Sequence, residues 1–328
     1  MNSGQDNEAR IVTPLTQLLD IRHPVVLAPM DGTANGRLAA AVARAGGLGL
    51  IGGGYADADW LEGELEAAAG ARVGVGFITF ALDERPAALR LALEAKPIAV
   101  QLSFGDPRPH AEAIRAAGAA LICQVQTPDE VKAAVEAGAD VLVAQGRDAG
   151  GHGRPDLGTM ALVPSMVDSV APVPVVAAGG IADGRGLAAA LMLGAAGVTM
   201  GTRFLASTEA SSNPAEQAGL VAARSVDTVR TDVFDQARGP AWPEGHDGRV
   251  VRSSFTEEWR RSRDEAAASE RYWASAPDDY DVRPLWAGEG LDLISAIETP
   301  DDIVRSVVDQ AIARLRTAGP MVVAGAGR

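Results

Sequence analysis

A unit that recurs eight times limits most strongly what this chain can fold into. Short apolar runs begin near Val25, Leu48, Val73, Ile98, Ala120, Val141, Val175 and Val198. Most are rich in β-branched residues and unbroken by polar alternation, as expected for strands buried on both faces of a parallel sheet. Between them lie Ala/Leu-rich stretches with helical spacing, such as residues 36–45, 85–95, 110–117, 128–137 and 184–193. Several end on a glycine just ahead of the next run: Gly46, Gly118, Gly138 and Gly194. Glycine takes the left-handed conformation that ends a helix without steric cost. Strands alternating with helices make a parallel sheet, and eight of them favour closure over an open sheet. The expected fold is a (β/α)8 TIM barrel.

The chain's 328 residues exceed the roughly 250 of one typical barrel, which leaves room for an insertion. Residues 301–315 read as the last barrel helix, with Pro300 in its first turn and Thr299 as cap. Residues 211–290 then form a partly helical cap inserted before that helix, and the barrel comprises residues 1–210 and 291–328. Four of the five tryptophans fall in the cap: Trp242, Trp259, Trp273 and Trp286. Packing is the first expectation for them, but a cap over the upper end of the barrel would also wall a substrate pocket.

A formal charge of −14 argues against nucleic-acid or membrane-surface partners, both of which are polyanionic. The single cysteine, Cys123, excludes an intrachain disulfide and a cysteine-based metal cluster, and its apolar surroundings read as those of a small buried hydrophobe. No metal site is expected. Residues 1–10 are polar and lack a signal core, and no uncharged apolar stretch reaches the roughly 20 residues of a membrane span. A soluble, cytoplasmic protein is expected, with a homodimer among the possible assemblies.

In such a barrel, chemistry belongs to the carboxyl ends of the strands. The seventh and eighth predicted strands end in Gly179-Gly180 and Gly201-Thr202, the two places where barrels commonly bind phosphate. Glycine there lets backbone N–H groups approach an anion with no Cβ in the way. Gln124 and Gln145 end adjacent strands, and uncharged amides suit the heteroatom edge of a planar ligand. His152 follows Gly150-Gly151 in a loop after the sixth strand, where an imidazole can serve as acid or base near neutral pH. His23, His110 and His246 read as surface or local structural residues. The stretch Gly47-Leu48-Gly49-Leu50-Ile51-Gly52 matches a dinucleotide-binding pattern, but it follows a helix and runs through a strand. The fingerprint needs the reverse order, so the match is set aside.

Taken together, Ala28-Pro29-Met30, Ala45-Gly46-Gly47-Leu48-Gly49, Ala144-Gln145-Gly146-Arg147-Asp148-Ala149-Gly150-Gly151-His152-Gly153, the run from Pro174 through Gly179-Gly180 to Gly186, and Met200-Gly201-Thr202-Arg203-Phe204 resemble nitronate monooxygenases, formerly called 2-nitropropane dioxygenases. The resemblance covers about the first 210 residues. It implies one non-covalent FMN, with Pro29, Met30 and Asp31 beside the flavin. It implies Gly76, Gln124 and Gln145 along the ring and ribityl edge, and Gly150, Gly151, Gly179, Gly180, Gly201 and Thr202 at the phosphate end. Some relatives carry asparagine and lysine where this chain has Gly76 and Gln124. His152 matches the family's catalytic histidine. The implied reaction is oxidation of alkyl nitronates by O2 to a carbonyl compound and nitrite. Two alternatives stand beside it: an NAD(P)H-dependent FMN reductase of the enoyl-acyl-carrier-protein or quinone type, and a non-catalytic sensor of a phosphorylated ligand.

Overall fold

A computed structural model describes residues 9–239 and 242–318; the polar amino-terminal stretch lies almost wholly outside them. In chain order the strands are β1 (Val25–Leu27), β2 (Leu50–Gly54), β3 (Gly74–Ile78), β4 (Ala99–Ser103), β5 (Ala120–Val125), β6 (Val141–Gln145), β7 (Gly151–Gly153), β8 (Val175–Ala178), β9 (Gly197–Met200), β10 (Thr228–Thr231) and β11 (Asp247–Val251). Eight of them form one parallel sheet in the order β1-β9-β8-β6-β5-β4-β3-β2. The sheet closes on itself by a parallel bridge between Val26 and Leu48. There the Leu27 N–H donates to the Leu48 carbonyl and the Leu48 N–H to the Val25 carbonyl, both at 2.9 Å. The expected (β/α)8 barrel is the fold observed.

Strand periodicity sorts the side chains. Val26, Leu50, Ala99, Ile122, Val141, Val143 and Val176 fill the barrel, and Leu15 and Leu19 of the helix Pro14–Leu19 join them as a plug. Their neighbours Val25, Leu27, Val75, Val100, Leu121, Leu142 and Ala177 pack outward against the surrounding helices. Climbing each strand by two residues keeps the side chain inside. On that path Ile122 is followed by Gln124, Val143 by Gln145, and Ala99 by Gln101 and Ser103. The interior therefore changes from apolar to uncharged polar toward the carboxyl ends. Cys123 points to the outer layer, and burial followed by the charge of Asp140 pushes its thiol up to about 12.

Local signals behave as expected. Gly46, Gly118, Gly138 and Gly194 all have positive φ, between 74° and 94°. The dinucleotide-like glycines lie on β2 and just before it, after the helix Gly36–Arg44. A Cβ on Gly52 would sit 2.1 Å from the Met30 carbonyl oxygen, so this glycine lets β2 close on the end of β1.

Between residues 211 and 290 lie the helices Pro214–Ala222, Val233–Arg238, Ser254–Ser262 and Glu265–Ala274, together with an antiparallel hairpin of β10 and β11. Val233, Phe234, Val250, Phe255, Trp259 and Tyr272 are among the residues of a small core of its own. The hairpin gains a third strand in β7, with Gly248 opposite His152. The stretch read from the sequence as a loop around His152 is thus a strand of the cap sheet. Its two glycines flank the histidine and offer no side chains to obstruct the pairing. The last barrel helix is Pro300–Ala318, and Thr299 Oγ1 accepts from the Asp302 N–H at 3.1 Å.

Candidate active site

A cavity of about 260 Å³ opens at the carboxyl ends of the barrel strands, beneath the cap. Pro29, Met30 and Asp31 line it from the end of β1, Gln124 from β5 and Gln145 from β6. Gly150, Gly151 and His152 line it from the β6–β7 turn and β7, Gly179 and Gly180 from beyond β8, and Gly201 and Thr202 from beyond β9. Twelve of the thirteen residues singled out in the sequence therefore share one opening. The exception is Gly76, which is not on the cavity wall. It sits on β3 against Pro29, whose Cβ would lie 2.3 Å from a Cβ placed there. Gly76 leaves room for Pro29, which does line the cavity.

The wall near β8 and β9 is made of backbone. Gly179 and Gly180 have φ of 111° and 69°, values that exclude most side chains. Thr159 Oγ1 ties this turn down by donating to the carbonyls of Ala178 and Gly179 at 3.1 and 3.0 Å. From the last residues of the cap, the Gly288 N–H donates to Thr202 Oγ1 at 3.0 Å. The floor carries amides: Gln124 Nε2 donates to Gln145 Oε1, and Gln145 Nε2 donates to the His152 carbonyl at 3.1 Å. Gln101 Oε1 and Thr199 Oγ1 are buried without partners, and both residues line the cavity. Unsatisfied buried oxygens are uncommon in native proteins, and these two are free to bond a ligand or water in the cavity.

His152 is held from four sides. Its backbone pairs with β11, and its carbonyl accepts from Gln145. Its Nε2 lies 2.9 and 3.0 Å from the two carboxylate oxygens of Asp235. Its ring stacks on Trp242 with centroids 3.6 Å apart and planes within 2°. A carboxylate accepting from Nε2–H leaves Nδ1 as the basic nitrogen of the neutral ring. Nδ1 has no hydrogen-bond partner among the described residues.

Asp235, Arg238, Trp242 and Trp286 were not singled out as site residues, and all four come from the cap. The sequence held one signal, the concentration of tryptophans there. Trp259 packs in the cap core, but Trp242 and Trp286 line the cavity, with Trp286 tilted against His152 at 5.1 Å. Trp242 Nε1 donates to the Tyr55 hydroxyl at 3.0 Å, and its ring also meets Phe104 and Phe80 edge-on at 5.0 and 5.3 Å. His246 packs against Phe104 and Trp242, in keeping with a local structural role. Burial pushes the carboxyl pKa of Asp31 up against the opposing charge of Arg238, and burial likewise raises that of Glu216.

Comparison with known proteins agrees with this geometry. A family model for nitronate monooxygenase matches residues 12–73 and 78–310. A probable nitronate monooxygenase of Staphylococcus haemolyticus (strain JCSC1435) is 35% identical over 275 residues, covering 69% of this chain and 77% of the relative. A second, from Staphylococcus aureus (strain JH9), is 30% identical over 352 residues, covering 90% and 96%. Among solved structures, FabK from Thermotoga maritima superposes with a TM-score of 0.83 at 30% identity, over 95% of this chain and all of that one. A nitroalkane oxidase from Streptomyces ansochromogenes gives 0.77 at 27% identity, over 93% and 99%. Barrel, cavity and relatives together define an oxidoreductase. More narrowly, the chain belongs to the nitronate monooxygenase family.

Proposed function

We propose that this protein oxidises alkyl nitronates with O2, yielding a carbonyl compound and nitrite, with non-covalent FMN as cofactor. One observation carries the reading: a carboxylate-oriented imidazole and a side-chain-free wall face the same cavity. The fit to FMN is chemical. Gly179, Gly180, Gly201 and Thr202 would take the phosphate on backbone and hydroxyl donors, and a Cβ on either of the first two would both strain the turn and crowd it. Gln124 and Gln145, with the unsatisfied oxygens of Gln101 and Thr199, would meet the ring and ribityl groups. When bound, FMN supplies the electron acceptor and the site of O2 reduction.

The chain's own residues account for the proton. In the Nε2–H tautomer, Asp235 steadies the imidazole and His152 Nδ1 can take the α-proton of a neutral nitroalkane. The resulting imidazolium is stabilised by the same carboxylate. Trp242 and Trp286 exclude water from one side, and residues 211–290 act as the substrate-facing cap. Among the described residues no helix is long and apolar enough to cross a membrane, and a cytoplasmic location belongs to the same proposal.

The test is optical. The purified protein should be yellow, and under anaerobic conditions propyl nitronate should bleach the flavin promptly. The likeness to FabK favours a second reading, an FMN reductase taking hydride from NAD(P)H. Prompt bleaching by NADH, with none by the nitronate, would replace the first reading with the second.

A further inference from the structure

We infer that Arg238 forms an anion subsite that selects the ionised nitronate over the neutral nitroalkane. This rests on the nitronate reading above and names the residue that would enforce it. The side chains lining the cavity include five ionisable ones: Asp31, Tyr55, His152, Glu216 and Arg238. Arg238 is half-buried, and no hydrogen bond or ion pair joins its guanidinium to any described residue. A guanidinium carries five donors, and leaving them unmatched beside a partly desolvated cavity is costly.

No carboxyl nearby is joined to it by an ion pair or hydrogen bond among the described residues. Asp235 is engaged with His152 Nε2. Asp31 feels the charge of Arg238 without forming an ion pair with it, and burial raises the carboxyl pKa of both Asp31 and Glu216. The surrounding walls, including Tyr55, Phe104, Trp242 and Trp286, are aromatic and weakly screening. The arrangement leaves a cation on the cavity wall with no ion-pair partner among the described residues.

Placement gives the subsite its meaning. The short helix Val233–Arg238 offers Asp235 and Arg238 three residues apart, on neighbouring positions of one face. One residue orients the imidazole and the other lines the same cavity, so a ligand held by Arg238 lies within the space that His152 borders. A nitronate presents two coplanar oxygens sharing a negative charge, which matches the guanidinium fork as a carboxylate does. A neutral nitroalkane lacks that charge and gains less.

The test uses inert isosteres with the flavin-loaded enzyme. Isobutyrate copies the shape and charge of propyl-2-nitronate, and isobutyramide copies the shape alone. Calorimetric titration should show isobutyrate binding about tenfold or more tightly than isobutyramide. Arg238→Met should weaken isobutyrate by about tenfold or more and leave isobutyramide within about threefold, while Arg238→Lys recovers part of the loss. In turnover, Arg238→Met should raise KM for the nitronate more than for the neutral nitroalkane, with kcat changed little. Flavin content and melting temperature equal to wild type establish that the variants are folded, and the Lys variant serves if the Met variant is not. Equal binding of isobutyrate by wild type and Arg238→Met, or no preference for isobutyrate in the wild type, would overturn the subsite. If the isostere pattern holds but nitronates fail to bleach the flavin, the anion subsite stands and the nitronate reading fails.

Discussion

The floor and the roof of the cavity are built by different rules. The floor comes from the ends of barrel strands, where a period of two residues decides which side chains enter the opening. Gln124 and Gln145 stand one step above Ile122 and Val143 on the same inward-facing rows. The roof comes from an insertion with its own small core, and its functional side chains follow no period. Asp235 and Arg238 lie on a six-residue helix, Trp242 beyond its end, and Trp286 on a segment more than forty residues later. The contrast teaches that the barrel supplies a place to bind, whereas the insertion supplies the groups that orient and select.

That division can be broken or sharpened by substitution. The largest effect is expected from His152→Ala, which should lower turnover of neutral nitroalkanes by about 10²- to 10⁴-fold and leave flavin content unchanged. Unaltered turnover in steady-state assays would remove the proton-transfer role. Next comes the floor's support: Leu15→Ala, at a fully buried plug position, should cost about 2–5 kcal/mol of stability in denaturant unfolding. Activity of the folded fraction should stay near wild type, and a parallel loss of kcat would blur the distinction between scaffold and site.

Asp235→Asn keeps the shape but removes the carboxylate charge beside the imidazole. It should lower kcat by about 10- to 100-fold and move the acidic limb of the pH–rate profile, with flavin still bound. A profile identical to wild type would mean that the pair only supports the fold. The smallest effect should come from Trp242→Leu, which removes the stack on His152. A loss of about 0.5–1.5 kcal/mol, read as a few-fold drop in kcat/KM, is expected.

Most of the floor was legible in the sequence because strand ends and helix-ending glycines obey local backbone rules. Gly179, Gly180, Gly201 and Thr202 could be placed from chain order alone, since the barrel topology fixes where each strand ends. Gly76 shows where that logic stops. A glycine at an inward strand position can face a ligand or a neighbouring proline, and only the three-dimensional register separates the two. The roof was largely illegible. Asp235 lies 83 residues from His152 in the chain, and nothing local marks one aspartate among many as its partner. The composition shift announced the insertion and its tryptophans but not that Trp242 would lie flat on the histidine. Nor did it reveal that the glycine-flanked histidine segment would leave the barrel to join the insertion's hairpin.

That shared strand has a consequence for how the enzyme can breathe. Because His152 is stitched by its main chain to the hairpin overhead, the roof cannot swing away like a hinged door and leave the imidazole behind. Loosening the insertion to admit a bulkier molecule would at the same time disarm the chemistry. Access and reactivity are therefore inherited together, and grafting a foreign insertion onto this barrel would have to rebuild both at once.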